Sequence, residues 1–178
     1  MLSIGFLAQK GGAGKTTLAV HLAVLAGDAL LVDLDPQRSA AEWWETRSAE
    51  LPELEDARTV ASLVDLVVIP TRPAILDLRA IRATVEIISR AGARAVVVLN
   101  ACPVARTVAE ASIVTEARQA LASYGLPLAP MAVAQRAALS YALNDGRAVS
   151  EFEPDGKAAK ELRRLWEWLH VQAIAPTP

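Results

Sequence analysis

Only one cysteine, Cys102, stands in the 178 residues, which excludes an internal disulfide and every multi-cysteine metal site. A small buried hydrophobe is the preferred reading of that lone thiol. Long apolar runs are also missing. No stretch approaches the roughly 18 residues of a membrane span, and the opening MLSIGFLAQKGG has neither a basic n-region nor a cleavage site. A cytoplasmic protein without membrane contact is expected. Gly/Ser/Pro-rich and single-residue tracts are absent as well, and 53% hydrophobic with 21% charged residues excludes disordered and collagen-like chains. The length suits one domain with a sizeable core and is short for two, so the expectation is a single domain over 1–172 followed by a tail, 173–178.

Charge of one sign is lacking overall, the net value being −2, but it is unevenly spread. Residues 1–71 carry five Lys/Arg against ten Asp/Glu, and residues 72–178 carry thirteen against ten. The second half is too weakly basic to announce nucleic-acid binding by composition, so any polyanion contact must be a local patch.

What the chain does have is a repeating strand-then-helix pattern. LSIGFLA (2–8) and ALLVDLD (29–35) read as strands around a helical run, 15–26, in which Leu18, Leu22 and Leu25 recur at helical spacing. LVVIP (66–70) is a third strand, followed by a helix from Asp77 to Ala91 with Gly92 as its stop. ARAVVVLN (93–100) is an apolar run suited to a strand covered on both faces. A helix from Thr107 to Tyr124 follows, opened by Thr107 and Glu110 at capping-box spacing and closed by Gly125. LPLAPMAV (126–133) is a weaker fifth strand whose prolines suggest an edge or a strand end, and a last amphipathic helix runs from Lys157 to His170. Strands alternating with helices imply an α/β fold with a doubly wound, mostly parallel sheet and helices on both faces.

The strongest local signal is Lys10-Gly11-Gly12-Ala13-Gly14-Lys15-Thr16-Thr17, set between the first strand and the first helix. A loop that wraps its backbone N–H groups around phosphates needs conformations closed to bulky residues, and the helix behind it presents its positive end to the same anion. Lys15 is placed to neutralise the β and γ phosphates, and the Thr16 hydroxyl to bind Mg²⁺. Position 10 holds lysine where the usual GxxxxGK[ST] loop has glycine. Here the chain resembles the ParA/MinD family of deviant Walker A ATPases, whose hallmark KGGxGKT[ST] is complete. LLVDLDPQRSAAEWW (30–44), DLVVIPTRPAILDLRAI (65–81) and AVAQRAALSYALNDGRAVSEF (132–152) extend the likeness over nearly the whole chain. The absence of an N-terminal DNA-binding extension is similar to the small ParA proteins.

The resemblance implies that two ATP-bound subunits form a sandwich in which Lys10 reaches the partner's nucleotide, acting as an arginine finger does. It assigns Asp35 to the attacking water and Asp33 to the Mg²⁺ shell; the alternative for both is a carboxylate capping the turn at Pro36. Asn100 would reach the adenine edge, a turn-forming Asn being equally suitable. The family also implies non-specific binding of nucleoid DNA by the ATP dimer, and release through hydrolysis stimulated by a partner protein in a ParB-like role. Arg136, Lys157, Lys160, Arg163 and Arg164 are candidate DNA contacts, although a solvated helix face explains the last four as well.

One family feature is missing. No apolar strand ending in Asp, the Walker B segment, is found between Trp44 and Leu63. Its loss should leave unpaired backbone groups beside the first strand, unless LVVIP takes that slot, a neighbouring subunit fills it, or the natural protein is longer. Mg²⁺ would then rest mainly on Thr16, phosphates and water, implying weak hydrolysis. Two further functions therefore stay open: a nucleotide-binding interaction module with little turnover, and a small ATP-dependent ligase of the same superfamily. Trp43 and Trp44 are read as packing anchors on a short helix, and His21 as structural.

Overall fold

The computed structural model describes residues 2–33, 37–49, 53–56, 64–104 and 111–175. The chain divides into two compact units. The first comprises Met1–Lys15, Val64–Gln135 and Glu167–Pro178, the second Thr16–Leu63 and Arg136–Trp166.

In the first unit, β1 (Ile4–Phe6) pairs in parallel with a strand, Leu66–Thr71, that is buried at every position. That strand pairs in turn, again in parallel, with Ala95–Leu99, whose five residues are also all buried. Continuous Val/Ile/Leu runs are what a parallel strand covered on both faces requires. Helix Ile75–Ala91 returns over this sheet with Leu78, Ile81 and Ile88 inward. It stops at Gly92, whose φ of 63° closes the helix as the sequence predicts. Helix Ser112–Ala122 adds Val114, Ala117 and Leu121 to the same core, together with Cys102, which is buried as expected. The Thr107/Glu110 capping pair lies outside the described residues.

In the second unit, α1 (Lys15–Ala26, of which Thr16 onward belongs here) and β2 (Leu30–Asp33) occupy the segments that their periodicity predicts. Helix α2 (Ser39–Thr46) carries Trp43 and Trp44, and Trp43 is buried with Val20, Leu31 and Ala40, a packing anchor as read. The interval in which the sequence shows no apolar Walker B strand contains a short polar one. β3 (Glu53–Asp56) lies parallel to β2, in register from Leu30 opposite Glu53 to Asp33 opposite Asp56. A stretch as polar as ELED has no periodicity to announce a strand; pairing with β2 sets its conformation. Numbered in chain order, the strands and helices of the first unit are β4 (Leu66–Thr71), α3 (Ile75–Ala91), β5 (Ala95–Leu99) and α4 (Ser112–Ala122).

The fifth expected strand is not one. Residues 126–133 follow β5 only through an isolated parallel bridge, Val97 to Leu128, and hydrogen bonds such as Ala129 N–H to the Val97 carbonyl at 2.9 Å. Pro127 and Pro130 remove the donors that a ladder needs. Beyond them lie α5 (Ala137–Asn144), α6 (Val149–Phe152) and α7 (Lys157–Ile174), the last running four residues past its expected end. Leu162, Leu165 and Leu169 form its buried stripe, while Trp166 and Trp168 are both half-buried, so neither marks an open partner surface.

Every strand pairing is parallel, which makes this a mostly parallel α/β fold. Among the described residues β1 pairs on one side only, with β4, and β2 only with β3. No helix of the described residues is long and apolar enough to cross a membrane.

Candidate phosphate-binding site

β1 ends at Phe6, and the chain continues through Lys10 to Gly14 before α1 opens at Lys15. The turn is made by Gly12 and Gly14, with φ of 73° and 95°, values that residues with a Cβ reach only under strain. Gly11 and Gly12 are exposed and Ala13 is buried. The loop is braced from the sheet. Asn100, at the end of β5 and buried, donates its side-chain N–H to the Ala13 carbonyl at 2.9 Å. A Cβ on Gly14 would stand 2.0 Å from that same amide nitrogen, so glycine is required for contact as well as for conformation. The Asn100 backbone N–H donates to the Thr71 carbonyl at 2.8 Å, tying the ends of β4 and β5 together. The next residue, Ala101, is turned to a φ of 51°, a local strain that the surrounding bonds hold.

Lys10 leaves the loop sideways. Its ammonium pairs with the Asp77 carboxylate at 2.9 Å; Asp77 is buried in the first turn of α3, while the lysine stays partly exposed. Gln9, Lys10, Ala13, Thr71 and Asp77 surround a cavity of about 10 Å³ beneath this pair, the room of a single water. Sequence reasoning placed Asp77 only at a helix start. An acid in the first turn of an otherwise apolar ILDL segment was the available signal.

In the second unit, Thr16 and Thr17 form the first turn of α1, half-buried. Asp33, the last residue of β2, accepts the backbone N–H groups of Ala40 and Ala41 at 2.9 and 3.2 Å, capping the start of α2. Asp35 lies outside the described residues. Among the described residues no three His, Cys, Asp or Glu side chains gather as a metal centre. His21 is buried in α1, where its Nδ1 accepts the Val149 N–H at 3.1 Å. Burial holds its pKa down at about 4, against the backbone of Leu139 and the charge of Glu151, which pull it upward. Its buried bond to Val149 is structural, as expected, and its low pKa favours the neutral form near pH 7.

Of the basic candidates, Arg136 is engaged with Glu161, its Nε standing 3.2 Å from both carboxylate oxygens; that bond raises its already high pKa. Lys157, Lys160 and Arg164 are exposed on α7 and Arg163 is half-buried there.

Comparison with known proteins agrees with this geometry. The profile of the CobQ/CobB/MinD/ParA nucleotide-binding domain matches residues 4–149. Maintenance of carboxysome distribution protein A of Gloeobacter kilaueensis is 42% identical over 95 residues, covering 47% of this chain and 44% of that relative, so less than half of its length is matched. Among solved structures, apo McdA of Cyanothece superposes with a TM-score of 0.76 at 16% identity, over 95% of this chain and 99% of that one. An ATP complex of McdA from Cyanothece gives 0.73 at 16% identity, over 100% and 98%. The cell-division ATPase MinD of Pyrococcus furiosus gives 0.64 at 18%, over 97% and 100%. The fold of these proteins is therefore the fold of this chain.

Proposed function

Because this chain belongs to the CobQ/CobB/MinD/ParA nucleotide-binding domain family, we propose that it is a ParA-type ATPase that positions a cargo by switching between nucleotide states. The observation that carries the reading is the glycine turn at the end of β1, which opens into α1 and is braced by Asn100. A polyphosphate fits such a cradle, since the places where side chains would intrude are held by glycine and the helix start presents unpaired N–H groups.

Gly11 to Gly14 would supply backbone donors, Lys15 the charge for the β and γ phosphates, and Thr16 and Thr17 the hydroxyls at the start of α1. Mg²⁺, when bound, would neutralise the phosphate oxygens, and Thr16 and Asp33 would be the side chains suited to it. Asp35 would orient the attacking water. Asn100 would serve the nucleotide chiefly by fixing the loop, with adenine contact a further use of its carbonyl oxygen. Lys10 would leave Asp77 to reach the nucleotide of a second subunit in an ATP-dependent homodimer. The kinship with a carboxysome distribution protein supports a protein assembly as cargo at least as well as a plasmid. Non-specific DNA as the track, contacted through Lys157, Lys160 and Arg164, and a partner protein that stimulates hydrolysis complete the proposal.

Light scattering with ATP and Mg²⁺ tests it: a dimer that forms with ATP and is lost in Lys15→Ala is the expected result, and a monomer under every nucleotide condition refutes it. A second reading, a nucleotide-binding module with little turnover, is favoured by the engagement of Asp33 with α2. Phosphate release that stays at background with DNA and partner present would select it.

A further inference from the structure

Resting on the nucleotide reading above, we propose that Arg72 is an additional cation of the phosphate site, serving the terminal phosphate of a nucleoside triphosphate held by its own subunit. Arg72 directly follows β4, between the buried residues Thr71 and Pro73. The Thr71 carbonyl is bonded to the N–H of Asn100, so the backbone carrying Arg72 is fixed to the same brace that shapes the loop. Its guanidinium lies against the loop itself: a Cβ built on Gly12 would be 3.3 Å from one terminal nitrogen and 3.9 Å from the central carbon.

The side chain is otherwise exposed, and among the described residues no carboxylate pairs with it. The contrast with Lys10 is informative, because Lys10 is already matched by Asp77. A planar group with five donors, lying against the glycine turn and paired with no carboxylate among the described residues, is arranged to share an anion with the loop. α1 opens at Lys15, so its first amides serve the phosphates nearer the helix; Gly12, three residues back along the loop, leaves the outermost phosphate to Arg72. Sequence reading gave this residue no role of its own within DLVVIPTRPAILDLRAI, and only the fold brings it to the loop.

The test is titration of fluorescent N-methylanthraniloyl ATPγS and ADP, with Mg²⁺, into the full chain and its Arg72→Ala, Arg72→Lys and Lys15→Ala variants. Arg72→Ala should weaken the triphosphate about tenfold and the diphosphate less than about threefold, as loss of one charge-assisted bond to the outer phosphate requires. Arg72→Lys should fall between, and Lys15→Ala should lose both ligands. Arg72→Ala binding both nucleotides like the parent overturns the assignment while the nucleotide reading stands. Equal weakening of both overturns it too. A parent chain that binds neither nucleotide removes the assignment together with the reading it rests on. The melting temperature of Arg72→Ala should match the parent's, since the side chain is exposed.

Discussion

Gly14 and Asn100 should behave as one unit, and a double-mutant cycle measures that directly. Replacing Gly14 by alanine asks for two things at once. The residue must hold a φ of 95°, and its new methyl must occupy a point 2.0 Å from the Asn100 amide nitrogen. The first demand costs about 1–2 kcal/mol. The second is met only if Asn100 moves, which breaks its bond to the Ala13 carbonyl; stranding a buried acceptor costs about 1–3 kcal/mol. Gly14→Ala should therefore lose about 2–5 kcal/mol, and Asn100→Ala alone about 1–3 kcal/mol. In the double variant the obstacle is gone, so alanine at 14 should add only its backbone strain, giving a coupling of about 1–3 kcal/mol in favour of the pair. Urea denaturation of all four proteins, compared at constant m-value, provides the readout. Additive losses would refute the reasoning, because they would mean that the methyl and the amide never compete.

Two further tests follow from titrating groups. His21 has a folded pKa of about 4 against 6.5 when unfolded, so folding favours its neutral form. Its contribution is complete above pH 6.5 and should fall by about 3 kcal/mol as pH drops toward 4. His21→Asn, which keeps an acceptor for Val149, should flatten that part of the stability profile measured by denaturation between pH 7 and 4. Glu151 is held below the usual carboxylate range chiefly by its hydrogen bond from Arg47, whose own side chain is buried, bonded at 2.7 and 2.8 Å and stacked over Trp43. The stability it supplies is present above its unfolded pKa and is lost as pH falls through the lower folded value. Glu151→Gln should cost about 1–3 kcal/mol at neutral pH, the partial exposure of the glutamate keeping it below the cost of a fully buried pair. An unchanged thermal midpoint would show Arg47 content without its acid.

The parts of this protein written in local chemistry were legible from its letters. GKTT between an apolar run and a helical one with leucines at helical spacing announced the loop, and the valine-rich runs at 66–70 and 95–99 announced strands buried on both faces. Features decided by contacts far along the chain were not. Asn100 meets Ala13 across 87 positions and Asp77 meets Lys10 across 67, separations at which no spacing rule operates. β3 shows the same limit from the other side: Glu53–Asp56 carries no strand pattern and takes its form from β2. Residues 126–133 failed in reverse, with strand-like composition defeated by two missing amide hydrogens. Asp33 was read as a choice between metal and turn, and the structure places its oxygen on the first amides of α2.

The grip of Asp77 on Lys10 sets a threshold for any event that needs this lysine elsewhere. Departure strands a negative charge in a poorly solvated corner, so the replacement must supply enough attraction to offset that loss. A single weak anion in passing would leave the ammonium where it is, whereas a densely charged group presented in a close-fitting embrace would draw it out. Commitment of the lysine thus reports the quality of an encounter, and premature engagement is resisted by the resting molecule itself.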